Sequence, residues 1–284
     1  MRYIQVEGDT LPQAYHKALV NLYLHGEIAQ CPDYNTRILE CGMEMVVNNP
    51  LKEPMISVCG IYQPKDLQQY ILEVKDGILD FMIGQGENAW EYTYHERITD
   101  QIPFVVEELQ RNMWSRRAVI DVRKTEVDTA NDHPACLQHI QFLVRPVKNE
   151  LKLDMVVMMR SNDAMQATFM NAFGFILGIQ KVVADKLGYE VGHYVHRVVS
   201  FHAYEKNWKE LEHCYNSVLN IWDSETDEVD PYQLTICYDY NNVEGLDNQD
   251  KILGKIPEWR PMMEDAMEEI NALIQDQKDK YGVK

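Results

Sequence analysis

Apolar positions along this chain recur with two periods, and the switching between them marks out its elements. Alternation of period two runs through "TRILECGMEMVVNNP" (36–50), "RRAVIDVR" (116–123), "LQHIQFLVRP" (137–146), "ELKLDMVVMMR" (150–160) and "HYVHRVVSFHAYE" (193–205), which predicts five strands. The short polar link "VKNE" (147–150) predicts a hairpin between the third and fourth of them. Helical spacing appears in "LPQAYHKALVNLYLHG" (11–26), closed by Gly26, in "PKDLQQYILEVKDGI" (64–78), and after Pro103 in "ITDQIPFVVEELQRN" (98–112). "AMQATFMNAFGFILGIQKVVADKLG" (164–188) is apolar nearly all round, which predicts a buried central helix. The stretch "DSETDEVDP" (223–231) reads as a loop, and an acidic amphipathic helix is expected from about residue 258. Helices and strands are interleaved without a Gly-, Ser- or Pro-rich linker. The expectation is one α/β (α+β) domain over 1–284, a mixed sheet flanked by helices, with a C-terminal helical extension at about 255–284.

Composition narrows the possible functions. The chain has 284 residues with 45 acidic and 27 basic side chains, a formal net charge of -18. Such a surface repels a phosphate backbone, so nucleic acid is not an expected partner, whereas a small phosphorylated ligand needs only a few focused arginines. The N-terminus has no basic-then-apolar leader pattern, and no apolar run reaches membrane-spanning length, so a cytoplasmic location and no membrane contact are expected. The six cysteines are scattered without a Cys-x-x-Cys, which predicts free thiols and no metal site.

Polar clusters interrupt the apolar strands at four places: Ser115-Arg116-Arg117, Cys136, Arg160-Ser161-Asn162-Asp163, and His202 with Tyr204. Arginine grips phosphate through a planar fork, and Ser161 can add a hydroxyl donor. A structural alternative is an Arg160–Asp163 salt bridge. A cysteine acts as nucleophile only as thiolate, which requires a nearby cation. In the expected hairpin, Arg160 falls next to Cys136 and can serve both purposes. His202 and Tyr204 lie on one side of their strand and suit a sugar hydroxyl, although each taken singly is more often a structural residue. Asn171, inside the apolar helix, carries both a donor and an acceptor, which a pyrimidine edge or a neighbouring backbone can satisfy.

Together "SRRAVI", "PACLQHIQFLV", "MMRSNDAMQATFMNAFGFI" and "SFHAYEKNW" resemble the thymidylate synthase superfamily in order and spacing over about residues 110–208, and more weakly over 36–102. Within it, the chain resembles archaeal-type synthases and phage hydroxymethylases. The resemblance implies one-carbon transfer from 5,10-methylenetetrahydrofolate, with no metal, to C5 of a pyrimidine nucleoside monophosphate, and attack of Cys136 on C6. It further implies phosphate binding by Arg160 and Ser161, and a homodimer in which Arg116 and Arg117 reach the other subunit's phosphate. His202 and Tyr204 would meet the sugar, Asp163 the folate, and Asn171 the base, where an asparagine goes with uracil. The family's proton-transfer glutamate is matched best by Glu73, with a solvated helix glutamate as the alternative. Its tyrosine near the nucleophile is matched by Tyr92 or Tyr94.

The leading expectation is a dUMP hydroxymethylase, because the final helix replaces the short tail that closes ordinary synthases and so leaves the site open to water. The alternatives are thymidylate synthase itself and a dCMP or CMP hydroxymethylase. A non-catalytic nucleotide-binding relative would lack the cysteine or the arginines, and this chain has both.

Overall fold

The computed structural model describes residues 1–84, 90–238, 271–272, 274–276 and 278–279. The chain opens with strand β1 (Tyr3–Gly8) and helix α1 (Leu11–His25). The helix begins in a reciprocal cap: Gln13 N–H donates to Thr10 Oγ1 and Thr10 N–H to Gln13 Oε1, with Pro12 in the first turn. Strands β2 (Glu27–Cys31) and β3 (Thr36–Val47) follow; β2 pairs antiparallel and β1 parallel with successive halves of β3. The sequence pattern had marked no strand at either β1 or β2. Both are short, and in β1 only Val6 and Gly8 are buried, so neither carries a full alternation.

A two-residue strand β4 (Ile56–Ser57) leads to helix α2 (Pro64–Asp76), which ends at Gly77 in the left-handed conformation, φ 63°. Helices α3 (Tyr94–Ile98) and α4 (Ile102–Arg111), the edge strand β5 (Val119–Asp121) and the single turn α5 (Thr125–Asp128) bring the chain to the long hairpin of β6 (Leu137–Val147) and β7 (Glu150–Asp163). Its reversal is at Lys148-Asn149, as "VKNE" predicted, with Lys148 at φ 56°.

The apolar stretch after β7 forms one helical path rather than one uniform α-helix. It runs as α6 (Thr168–Phe175), a π-helical turn at Ile176–Gln180, and α7 (Lys181–Leu187). From the π turn, buried Gln180 donates to the carbonyls of Leu153 and His193, where the adjoining strands change register. Strand β8 (Glu190–Tyr204) then runs parallel to β7. Helix α8 (Trp208–Leu219) precedes the expected loop, which holds a two-strand hairpin of β9 (Trp222–Asp223) and β10 (Glu228–Val229), and β11 (Thr235–Ile236) pairs with β4. The C-terminal extension lies outside the described residues, except that 271–272, 274–276 and 278–279 are helical.

The main sheet has the order β1-β3-β8-β7-β6-β5, with β2 beside β3. One face is buried under the helices: Leu153, Met155, Val157 and Met159 of β7 meet a core that includes Phe169, Phe173, Phe175 and Ile179. The opposite face, with Val156 and Met158 of β7 and Val195 and Val199 of β8, is only partly covered. No helix among the described residues is long and apolar enough to cross a membrane.

Candidate active site

Cys136 sits on the loop that enters β6, next to Arg160 near the end of β7. The Arg160 N–H donates to the Cys136 carbonyl at 2.8 Å, the hairpin neighbourhood expected from sequence. The guanidinium folds back over the same loop, Nε donating to the Ala135 carbonyl at 3.1 Å and Nη2 to the Pro134 carbonyl at 2.7 Å. Among the described residues Arg160 makes no ion pair, so the alternative salt bridge to Asp163 does not form. Arg160 is exposed, and its Nη1 makes no hydrogen bond among the described residues, which leaves it available to an anion. Burial pushes the Cys136 thiol up from its ordinary pKa, and the positive charge of Arg160 pulls it back.

Asp163 is used structurally. Its Oδ1 accepts from the Met165 and Gln166 N–H groups at 2.8 and 3.1 Å, shaping the turn into α6. Asp163 lies opposite His202 in the parallel β7–β8 register, and Ser161 opposite Ser200. The His202 Nδ1–H donates to the Ser200 carbonyl at 3.1 Å, which leaves Nε2 as an acceptor in the neutral ring. Tyr204 stands edge-on to His202 with ring centroids 5.0 Å apart. Burial and Tyr34 hold the Tyr204 hydroxyl up at about 12, so it stays a donor.

A cavity of about 410 Å³ opens beside the thiol, lined by Tyr70, Glu73, Trp90, Tyr92, Tyr94 and His133 among others. Cys136 is not itself in the lining; Tyr92 connects the two, standing next to both Cys136 and Arg160. Tyr94 serves the backbone instead, its hydroxyl accepting the Leu137 N–H at 3.3 Å. Glu73 is not a solvated helix glutamate: it faces the cavity from α2, accepts from Gln69 Nε2 at 2.7 Å, and has its pKa raised by burial. Asn171 reaches the same wall by donating from Nδ2 to the Tyr70 hydroxyl. Its Oδ1 accepts from Asn162 Nδ2 at 2.8 Å.

Arg116 and Arg117 lie before β5, away from this cluster. Arg117 pairs with Glu108 at 2.9 Å, and that carboxyl is held down to about 2 by Arg111 first and then Ser115. Arg116 is exposed and makes no ion pair among the described residues. Sequence reasoning missed Tyr70, Trp90 and His133 on the cavity wall, and gave no role to Asn162 or His196. The only available signal was polar residues at buried strand positions, which carries no partner information.

A thiol next to an arginine, beside a cavity with a half-buried carboxyl and aromatic walls, on a mixed sheet with a central apolar helix, is an arrangement suited to chemistry by a cysteine. Comparison with known proteins identifies the kind. The thymidylate synthase family profile matches residues 61–242. A putative thymidylate synthase of Methanocaldococcus jannaschii is 34% identical over 206 residues, covering 70% of this chain and 90% of the relative. Thymidylate synthase of Streptococcus suis is 27% identical over 168 residues, covering 57% and 60%. The fold matches that of the thermostable thymidylate synthase A from Bacillus subtilis with a TM-score of 0.59 at 17% identity, over 73% of this chain and 84% of that one. The chain belongs to the thymidylate synthase family and is a one-carbon transferase. The family acts on a pyrimidine nucleotide with methylenetetrahydrofolate as co-substrate.

Proposed function

We propose that this protein is a dUMP hydroxymethylase, making 5-hydroxymethyl-dUMP. The observation that carries the reading is the Cys136–Arg160 pair, a partly buried thiol on a loop wrapped by a guanidinium with an uncommitted N–H group. Arg160 and Ser161 hold the 5′-phosphate, and His202 and Tyr204 the sugar. Asn171 reads uracil. Asp163, with one carboxylate oxygen outside its turn, faces the folate, and the aromatic wall of Trp90 and Tyr92 suits a flat pterin. The folate supplies the one-carbon unit at the oxidation level of formaldehyde.

The Cys136 thiolate bonds to C6 of uracil, and the displaced electron pair makes C5 nucleophilic. C5 bonds to the one-carbon unit and then loses its proton, and the electrons of that C–H bond form the exocyclic double bond while the carbon–nitrogen bond to the folate breaks, so tetrahydrofolate leaves and a methylene remains on the ring. Water adds to that carbon, and electrons returning to the ring expel the thiolate from C6. Glu73, its pKa raised by burial, exchanges a proton closer to neutral pH than an exposed carboxyl does, which suits proton transfer at the base. Glu73, Thr93 and His133 give the cavity polar partners for water.

The partly covered sheet face, with a hollow of about 290 Å³ at Tyr3, Met43, Met158 and Val199, supports a homodimer. Arg116 and Arg117 of the partner subunit would then complete the phosphate site. The unbridged thiols of Cys31, Cys41, Cys59, Cys136 and Cys214 fit the reducing cytoplasm.

The second reading is thymidylate synthase, favoured by the name of the Methanocaldococcus jannaschii relative. Incubation of the purified protein with dUMP and methylenetetrahydrofolate separates the two. The expected product is one oxygen heavier than dTMP, with no absorbance change from dihydrofolate. Formation of dTMP with stoichiometric dihydrofolate replaces this reading with the second, and absence of any product overturns both.

A further inference from the structure

Five side chains form a single file of hydrogen bonds from the core to the cavity. Tyr194 Oη lies 2.6 Å from His196 Nδ1, and His196 Nε2 lies 2.9 Å from Asn162 Oδ1. Asn162 Nδ2 donates to Asn171 Oδ1, and Asn171 Nδ2 to the hydroxyl of Tyr70 on the cavity wall. Tyr194 and His196 are fully buried, and Asn162 and Asn171 nearly so. The reaction described above uses none of Tyr194, His196 and Asn162.

A file of donors and acceptors has a direction, and one end sets it. Starting at Tyr194, each group donates to the next: hydroxyl to Nδ1, Nε2–H to Asn162, amide to Asn171, amide to Tyr70. Reversal would need the Tyr194 hydroxyl to accept from Nδ1–H. Its own proton would then have no acceptor among the described residues, where Tyr194 makes no other side-chain hydrogen bond. A buried O–H without an acceptor is unfavourable, so the file runs outward. Burial also keeps His196 neutral, so only one of its nitrogens can donate.

We infer that Tyr194, His196 and Asn162 are positioning residues that hold the Asn171 carboxamide one way round, and that this orientation selects uracil over cytosine. The inference rests on the reading in which Asn171 meets the base. Uracil presents a donor at N3 and an acceptor at O4, whereas cytosine presents an acceptor at N3 and a donor at N4. The two edges are opposite in polarity, so a carboxamide turned over exchanges one base for the other. Asparagine is nearly the same shape either way round, so residue 171 alone does not decide. The file behind it does.

The test is the ratio of kcat/KM for dUMP to that for dCMP in wild type, Tyr194→Phe and Asn162→Val, with thermal unfolding to verify folding. The ratio should fall by roughly 10-fold or more in each variant, as expected when one buried hydrogen-bond preference is lost. A purely structural role would lower both activities together. An unchanged ratio in folded variants, with wild type preferring dUMP, overturns this inference alone. A wild-type preference for dCMP overturns the base reading and the inference with it. Nitrogen-15 NMR of wild-type histidines needs no substitution: His196 should carry its proton on Nε2, and a proton on Nδ1 would overturn the file's direction.

Discussion

Two imidazoles buried in the core should make the fold acid-labile in a defined window. His196 bridges Tyr194 and Asn162, and His16 lies against Ser57 with Nε2 at 2.8 Å and Nδ1 without a partner among the described residues. Burial holds both down at about 3, against an ordinary value of 6.5. Below 6.5 the unfolded chain therefore takes up protons that the folded chain refuses. The stability from these groups is complete above 6.5 and declines until about 3, where the folded imidazoles titrate too. Each costs about 1.4 kcal/mol per pH unit, so from pH 7 to pH 5 each removes about 2 kcal/mol and the pair about 4. That is a large part of a typical stability of about 5–15 kcal/mol. The paired carboxyl of Glu108, held to about 2 from 4.5, contributes only at lower pH and stays outside this window. Urea unfolding followed by circular dichroism at fixed protein concentration gives the difference directly. His196→Gln should shrink the loss between pH 7 and 5 to about 2 kcal/mol. A wild-type stability that is flat over this range, or an equal loss in the variant, would refute the reasoning.

Three further outcomes are expected. Cys136→Ser should abolish turnover while calorimetry still detects dUMP binding, because the thiol bonds to the base but holds neither phosphate nor sugar. Glu73→Gln should lower kcat by roughly 100-fold or more with little change in KM, the signature of lost proton transfer; a change confined to KM would remove Glu73 from the chemistry. A Cβ at Gly174 would come within 2.4 Å of the Tyr70 ring, so Gly174→Ala should destabilise by about 1–3 kcal/mol and raise KM for dUMP, read by thermal unfolding and steady-state kinetics.

The long elements and the nearness of Cys136 to Arg160 were legible because they depend on local pattern. Strands β3, β6, β7 and β8 each alternate over many residues, and the turn at Lys148-Asn149 is only two residues long, so the closeness of Cys136 and Arg160 followed from counting. Glu73 was harder, since its half-buried place depends on a cavity whose wall it shares with Tyr92, far away in sequence. The file behind Asn171 was not legible at all. Asn162 and His196 sit on neighbouring strands β7 and β8, 34 residues apart and not opposite each other in the parallel register, so no periodicity in the sequence pairs them. The edge strands β1 and β2 escaped notice because a half-exposed strand of five or six residues leaves too little alternation.

The most direct test of the central claim is release of the C5 hydrogen. Once Cys136 has added to C6 and C5 has bonded the one-carbon unit, C5 loses its proton whether the product is hydroxymethyl or methyl. With dUMP tritiated at C5 and methylenetetrahydrofolate, tritium should appear in water in step with product, and Cys136→Ser should release none. Product formed without tritium release, or release undiminished by that substitution, would contradict the account.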